Sequence, residues 1–331
     1  MLDGINRLRG AALAAMIGAA ACIGATADAR AQAYPSKPIT LIVPYAAGGI
    51  VDLVARQTAT YMEPFLNGHF VVENRVGASG AIGTGAVAKA KPDGYTIGVV
   101  GLSAMSLLPV MDSTLPYDPL KDIASIGMIT DNETILVARP DFPANNFQEF
   151  LAVVRANPGK FFYGTAGAGG ASQLIMEDLK SRLNFDIKNA PYAGDSEALT
   201  ALMGKYLDLE FGALGSSVGP VKDGRIKAFA IGAVKRSKAL PDVPTFSEVG
   251  VPGDPIVNFS AFGAPAGTPQ AIIDKLNEAL NKALQNPQFL TWIEQQGLSV
   301  RGGKPEELDK SVRSSIKVFE KVVTDLKLPR K

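Results

Sequence analysis

Short apolar runs alternate with amphipathic stretches along most of the chain. ITLIV (39–43), FVVEN (70–74), YTIGVV (95–100), IASIGMI (123–129), TILVA (134–138), FFYG (161–164), LDLEF (207–211), IKAFAIGA (226–233) and VNFSAFGA (257–264) read as strands. Apolar residues recur at helical spacing over 50–66, 80–90, 147–156, 172–183, 195–203 and 217–223, between many of those strands. Apolar strands alternating with helices predict an α/β fold with mainly parallel sheet. From Pro269 to Leu326 the pattern turns helical, through AIIDKLNEALNKAL and PEELDKSVRSSIKVFEKVV, as expected for two or three helices laid over an existing sheet. No internal repeat or heptad pattern stands out.

The first 33 residues have a different character. Arg7 and Arg9 precede the apolar run AALAAMIGAAACIGA, and AQA (31–33) supplies small residues before Tyr34. This is the order of a secretory signal peptide, and the apolar run is short for a membrane span. Cleavage is expected after Ala33, with Ala29 as a second position. Cys22 would be a lipidation site in a lipoprotein, but it lacks the usual leucine three residues before it. Export to the periplasm is therefore the expectation.

Removing 1–33 takes away the single cysteine and leaves 298 residues with 30 basic and 30 acidic side chains. Such a chain relies on core burial without disulfides, and its length predicts two domains. Neutral charge without basic blocks argues against nucleic acid or an anionic membrane surface as partner.

In open α/β sheets ligands bind at the carboxyl ends of strands. Three loops that leave a strand and open a helix are rich in small residues: PYAAGG (44–49), GTAGAGGAS (164–172) and YAGDSE (192–197). In the second, Gly167, Gly169 and Gly170 let backbone amides converge at a helix N-terminus, with Thr165 and Ser172 adding hydroxyls, an arrangement suited to an anion. The first has the same logic, with Gly48 and Gly49 leading into a helix whose first turn holds Asp52. Taken alone, that loop is equally well a tight turn without a ligand. Neither is a nucleotide loop: Gly170 is followed by Ala171-Ser172 rather than lysine, and GTGAVA (83–88) does not directly follow a strand. Asp195 reads either as a cap on its own helix or as a contact to a ligand amine, a hydroxyl or a held water.

Chemistry is poorly equipped. His69, the only histidine, lies at the amino end of a strand, on the wrong edge for a site. No His/Cys/carboxylate cluster has the spacing for a metal. Asp208 and Glu210 read as an alternating strand edge. Ser103, Ser106, Thr165 and Asp195 stand where a nucleophile or base would, without a nameable partner, so neither an enzyme nor a cofactor is expected.

YPSKPITLIVPYAAGGIVDLVARQ, VVENRVGASGAIGTGAVAKAKPDGYTI, RSKALPDVPTFSEVGVPG and FGAPAGTPQAIIDKLNEALNKAL occur in this order. Together they resemble the periplasmic receptors of tripartite tricarboxylate transporters, the Bug-type solute receptors, nearly from Tyr34 to the C-terminus. The resemblance implies a two-lobed, type II periplasmic-binding-protein-like α/β fold with a central ligand cleft. Lobe one would hold 34–134 plus 257–331 and lobe two 135–256. It further implies a receptor, expected as a monomer, that closes on an organic carboxylate and delivers it to membrane permease subunits. The same module could instead present its ligand to a signalling partner.

Carried over, the ligand residues are Tyr45, Ala46, Ala47, Gly48, Gly49, Asp52 and Ser103 from one lobe, with Ser106 beside them. The other lobe would give Thr165, Ala166, Gly167, Gly169, Ser172 and Asp195. The chain departs from the family in Thr165 for serine, Gln173 near a usual histidine, and Ala46-Ala47 for a proline-containing pair. Neither glycine loop carries Arg or Lys, so dipoles and hydroxyls would hold the anion, and Arg56 and Arg75 read as structural. Tyr45, Phe162, Tyr163 and Tyr192 are candidates for an aromatic section of the cleft.

Overall fold

The computed structural model describes residues 34–166, 170–192, 194–252, 257–325, 327–328 and 330. The expected signal segment 1–33, with Cys22, and the candidates Gly167 and Gly169 lie outside these residues, and nothing is described of Ala166 beyond its backbone.

Two sheets form two lobes. In the first, β1 (Ile39–Val43), β2 (Phe70–Asn74), β3 (Thr96–Gly101), β4 (Ile123–Asn132), β10 (Asn258–Pro265) and β11 (Ser299–Val300) lie in the order β11-β4-β10-β3-β1-β2. In the second, β5 (Thr134–Ala138), β6 (Phe162–Ala166), β7 (Lys188–Tyr192), β8 (Leu209–Ala213) and β9 (Lys227–Gly232) lie in the order β7-β6-β8-β5-β9. The chain passes from one sheet to the other at Glu133, between β4 and β5, and returns before β10.

The sheets are mixed rather than mainly parallel. β1 pairs parallel with β2 and β3, and β6 with β7 and β8. β10 runs antiparallel to β3 and β4, and β5 antiparallel to β8 and β9. β5 and β10 follow the passages between lobes, so no helical crossover within their own sheet fixes their direction. A central strand buried on both faces reads as the same apolar run in either direction.

Helix α1 (Ile50–Leu66) shows why the local pattern holds. Val54, Ala55, Thr58, Ala59, Met62 and Leu66 recur every three or four residues and are all buried. This face packs on β1 and on α8 (Gln270–Ala283). Burying side chains such as Met62 and Leu66 contributes about 1.5–3 kcal/mol each. Asn67, in the left-handed conformation, ends the helix. Helix α2 (Ala81–Ala88) comes so close to the end of β1 that a Cβ at Gly83 would sit 2.6 Å from Pro44 Cβ and 2.9 Å from the Arg75 carbonyl. Gly83 of GTGAVA thus serves packing.

The second lobe adds α4 (Phe147–Ala156), α5 (Ala171–Leu183), α6 (Asp195–Met203) and α7 (Leu214–Lys222). After β10 and α8 come α9 (Pro287–Gln295), β11 and the 21-residue α10 (Pro305–Asp325). Helix α10 packs against β4, a π-helical turn at Ser103–Leu107 and the short α3 (Leu108–Met111) in the first lobe, and against α5 in the second. One buried cluster accordingly runs from Val100, Leu102 and Met105 through Val312 and Phe319 to Leu174 and Met176.

Candidate functional site

β1 and β3 are parallel, as are β6, β7 and β8, so the loops after them gather at the carboxyl edge of each sheet. The loop after β1 is fastened from below. Asp52, 1 % exposed, accepts the Gly48 amide and the Arg56 Nε, each at 2.9 Å, and the Asn74 side-chain amide at 2.8 Å. Asn74 also donates to the Tyr45 carbonyl at 2.9 Å. Burial alone would push the Asp52 carboxyl up, but the bonds from Arg56, Gly48 and Asn74 outweigh it and hold it below the usual range. Asp52 is thus engaged in shaping the loop, and Asn74, which the sequence pattern did not single out, is its partner.

This fastening changes which amides the loop offers. The Gly48 amide is spent on Asp52 and the Gly49 amide on the Ala46 carbonyl at 3.2 Å. Gly48 needs its φ of +79° for this turn. Ala46 to Ile50 are exposed, and α1 begins at Gly49 without a side-chain cap. The donors left to this loop are the amides of Ala46 and Ala47 and those of the first turn of α1. Tyr45 is half-buried, with its hydroxyl close to Gly80 and Gly101, and burial raises its pKa. Ser103 is half-buried in the π-helical turn, whereas Ser106 is wholly buried and donates to the Val312 carbonyl at 3.5 Å, toward α10.

On the second lobe α5 begins at Gly170, again uncapped by a side chain, with Ser172 half-buried in its first turn. Thr165 is wholly buried, and its hydroxyl accepts the Asn189 amide of β7 at 2.9 Å. The expected aromatic section is not assembled. Tyr163 is a core residue donating to Glu177 at 2.7 Å, and Phe162 is exposed at the amino end of β6, under Lys188. Strand alternation and the 162–166 bounds of β6 put neither at the carboxyl edge. Tyr192 is half-buried at the end of β7.

Asp195 is the first residue of α6, and Gly194 is its cap position. Its carboxylate accepts the Ala213 amide of β8 instead of capping its own helix. Asp208, just before β8, and Glu210 on it are not the strand edge that alternation suggested, because β8 lies between β6 and β5. Asp208 accepts from Arg139 Nε at 3.2 Å and from the Phe162 amide at 3.0 Å. Glu210 is 0 % exposed. Burial, with Asp195 nearby, pushes its carboxyl from 4.5 up to about 8. His69 is exposed beside Glu63, away from these loops.

Further along the lobe boundary, on the β11 and β9 side, a cavity of about 500 Å3 is lined by Asp131, Glu133, Arg236, Lys238, Glu294 and Arg301 among others. None of the expected ligand residues lines it. Its charges are largely paired, with Lys238 on Glu294 at 2.6 Å and Arg301 on Asp131 at 3.0 Å. There the lobes touch through glycine backbone: a Cβ at Gly297 would lie 2.4 Å from the Gly215 Cα.

The model of the tripartite tricarboxylate transporter family receptor, TctC, matches residues 54–328. The chain belongs to this receptor family. A UPF0065 protein of Bordetella pertussis is 36% identical over 310 residues, 93% of this chain and 95% of its own length. Among solved structures, periplasmic binding protein BugD is 34% identical with a TM-score of 0.69, covering 90% of this chain and 100% of its own. MatC from Rhodopseudomonas palustris with bound malate is 32% identical with a TM-score of 0.68, covering 88% and 100%. The two-lobed architecture is therefore that of the TctC receptors.

Proposed function

We propose that this TctC receptor is a periplasmic protein that binds an organic carboxylate between its lobes and passes it to the membrane subunits of a tripartite tricarboxylate-type transporter. The ligand residues are Tyr45, Ala46, Ala47, Gly48, Gly49, Asp52 and Ser103 from 34–134 plus 257–331, and Thr165, Ala166, Gly167, Gly169, Ser172 and Asp195 from 135–256. Residues 1–33 act as the export signal, and the mature receptor works as a monomer. The observation that carries this reading is the loop after β1, fastened by Asp52, Asn74 and Arg56 so that exposed amides stand at the carboxyl edge of the sheet. A carboxylate takes such amides without an arginine. Malate bound to MatC, a relative of the same fold, supports the ligand class.

A thermal-shift panel of mono-, di- and tricarboxylates and aromatic acids tests the reading. A ligand at 100 times its Kd stabilises the fold by about 2.7 kcal/mol, a shift of several degrees. A flat panel at millimolar ligand would remove the carboxylate assignment.

A further inference from the structure

We infer that the ligand carries an ammonium group, accepted at the cleft-facing edge of the second sheet by Asp195 with Glu210 behind it. The inference rests on the carboxylate-receptor reading and narrows it to amino-bearing acids. Both oxygens of Glu210 and Oδ1 of Asp195 are buried without a hydrogen-bond partner. Two of them converge: a Cβ at Gly212 would lie 2.5 Å from Glu210 Oε1 and 2.9 Å from Asp195 Oδ1. Glycine at 212 keeps that space open.

Among the described residues no cation pairs with either carboxylate. Arg139, near the start of β8, is held by Asp141 and Asp208. Buried carboxylates without donors are costly, and they stay protonated or wait for a donor to arrive. Once Glu210 releases its proton to solvent, the unpartnered oxygens of the pair match the N–H donors and positive charge of an ammonium group. A ligand hydroxyl supplies one donor and no charge. The position fits as well, because Asp195 opens α6 just after the carboxyl end of β7, and Gly194 beside it borders open space. Loop amides on the first lobe suit the negative end of such a molecule, and this pair suits the positive end.

Isothermal titration with matched acids tests the assignment: succinate, malate and aspartate, and glutarate, 2-hydroxyglutarate, glutamate, with propionate, lactate and alanine as the short series. The amino member of at least one series is expected to bind tenfold or more tighter than its hydrogen and hydroxyl counterparts. In Asp195→Asn and Glu210→Gln, checked for folding by near-UV circular dichroism, that ratio should fall toward one. A hydroxyl or hydrogen member that binds as well as the amino one overturns the inference and leaves the carboxylate reading standing. If no member of any series binds, both fall. Stabilisation of the ligand-free protein by sodium, potassium or calcium chloride over choline chloride would assign the pair to an inorganic cation and overturn it too.

Discussion

Asn74 ties the end of β2 to the loop after β1, donating to the Tyr45 carbonyl at 2.9 Å while its second N–H meets Asp52. Replacing it by leucine keeps the bulk and removes both donors. Asn74→Leu is expected to cost about 1–3 kcal/mol in urea unfolding, since a buried Asp52 oxygen loses its partner. Ligand affinity should fall with it, as the loop amides lose their fixed positions. An unchanged Kd in titration would show that the loop holds its shape without this brace.

Gly83 is where α2 meets the same loop from the other side. A Cβ there would press on Pro44 and on the Arg75 carbonyl, which is backbone and cannot rotate away. Gly83→Ala is expected to destabilise by about 1–3 kcal/mol, read as a lower denaturation midpoint. A midpoint equal to the parent's would mean the helix shifts at no cost.

The contact of Gly297 with Gly215 bears on how the lobes meet. Gly297 has φ +69° and closes α9, where Leu298 donates back to the Ile293 carbonyl at 3.2 Å. Gly297→Ala is expected to cost about 1–2 kcal/mol for the left-handed backbone. Its methyl would also hold Gly215 away, so small-angle scattering should show a larger radius of gyration than the parent. An identical scattering curve would refute the second effect.

Glu210 gives a pH signature. Without ligand, the folded protein keeps this proton up to about pH 8, whereas the unfolded chain releases it near 4.5. Between those values the folded state binds more protons, so this group's contribution to stability falls as pH rises, by up to about 1.4 kcal/mol per pH unit, and levels off above 8. Glu210→Gln removes the slope, so its stability relative to the parent should climb from pH 5 to pH 8. A pH-independent difference in urea unfolding would place the carboxyl in its ordinary range.

The sequence pattern located β1, β2 and α1 to the residue, because each is amphipathic or apolar over its whole length. It missed β7, KNAPY, whose Pro191 argues against a strand and is tolerated because β7 is an edge. It also missed the π-helical turn after β3, which continues an apolar run without a period of its own. The turn after β1 was legible because small residues between strand and helix are rare without a reason, whereas Gly167 and Gly169 of the second loop lie outside the described residues. Asn74 was not legible: its role depends on β2 lying beside β1, a pairing no local spacing reveals. Glu210 misled for the opposite reason. Alternation in LDLEF suggests one wet face, but β8 has a strand on each side and α6 over it, so the glutamate is enclosed.

Helix α10 lies against both lobes, with Leu308 and Val312 at one end of its buried stripe and Phe319, Val322 and Val323 at the other. Two rigid bodies joined only by peptide crossings can swing freely until they collide. Here a third connection runs along the outside like a leaf spring, and any opening of the mouth has to bend it or peel its far end from α5. Any opening of the lobes would therefore be resisted by apolar packing along this helix. Shortening the chain from its C-terminus would lengthen the swing without touching a single residue of the cleft.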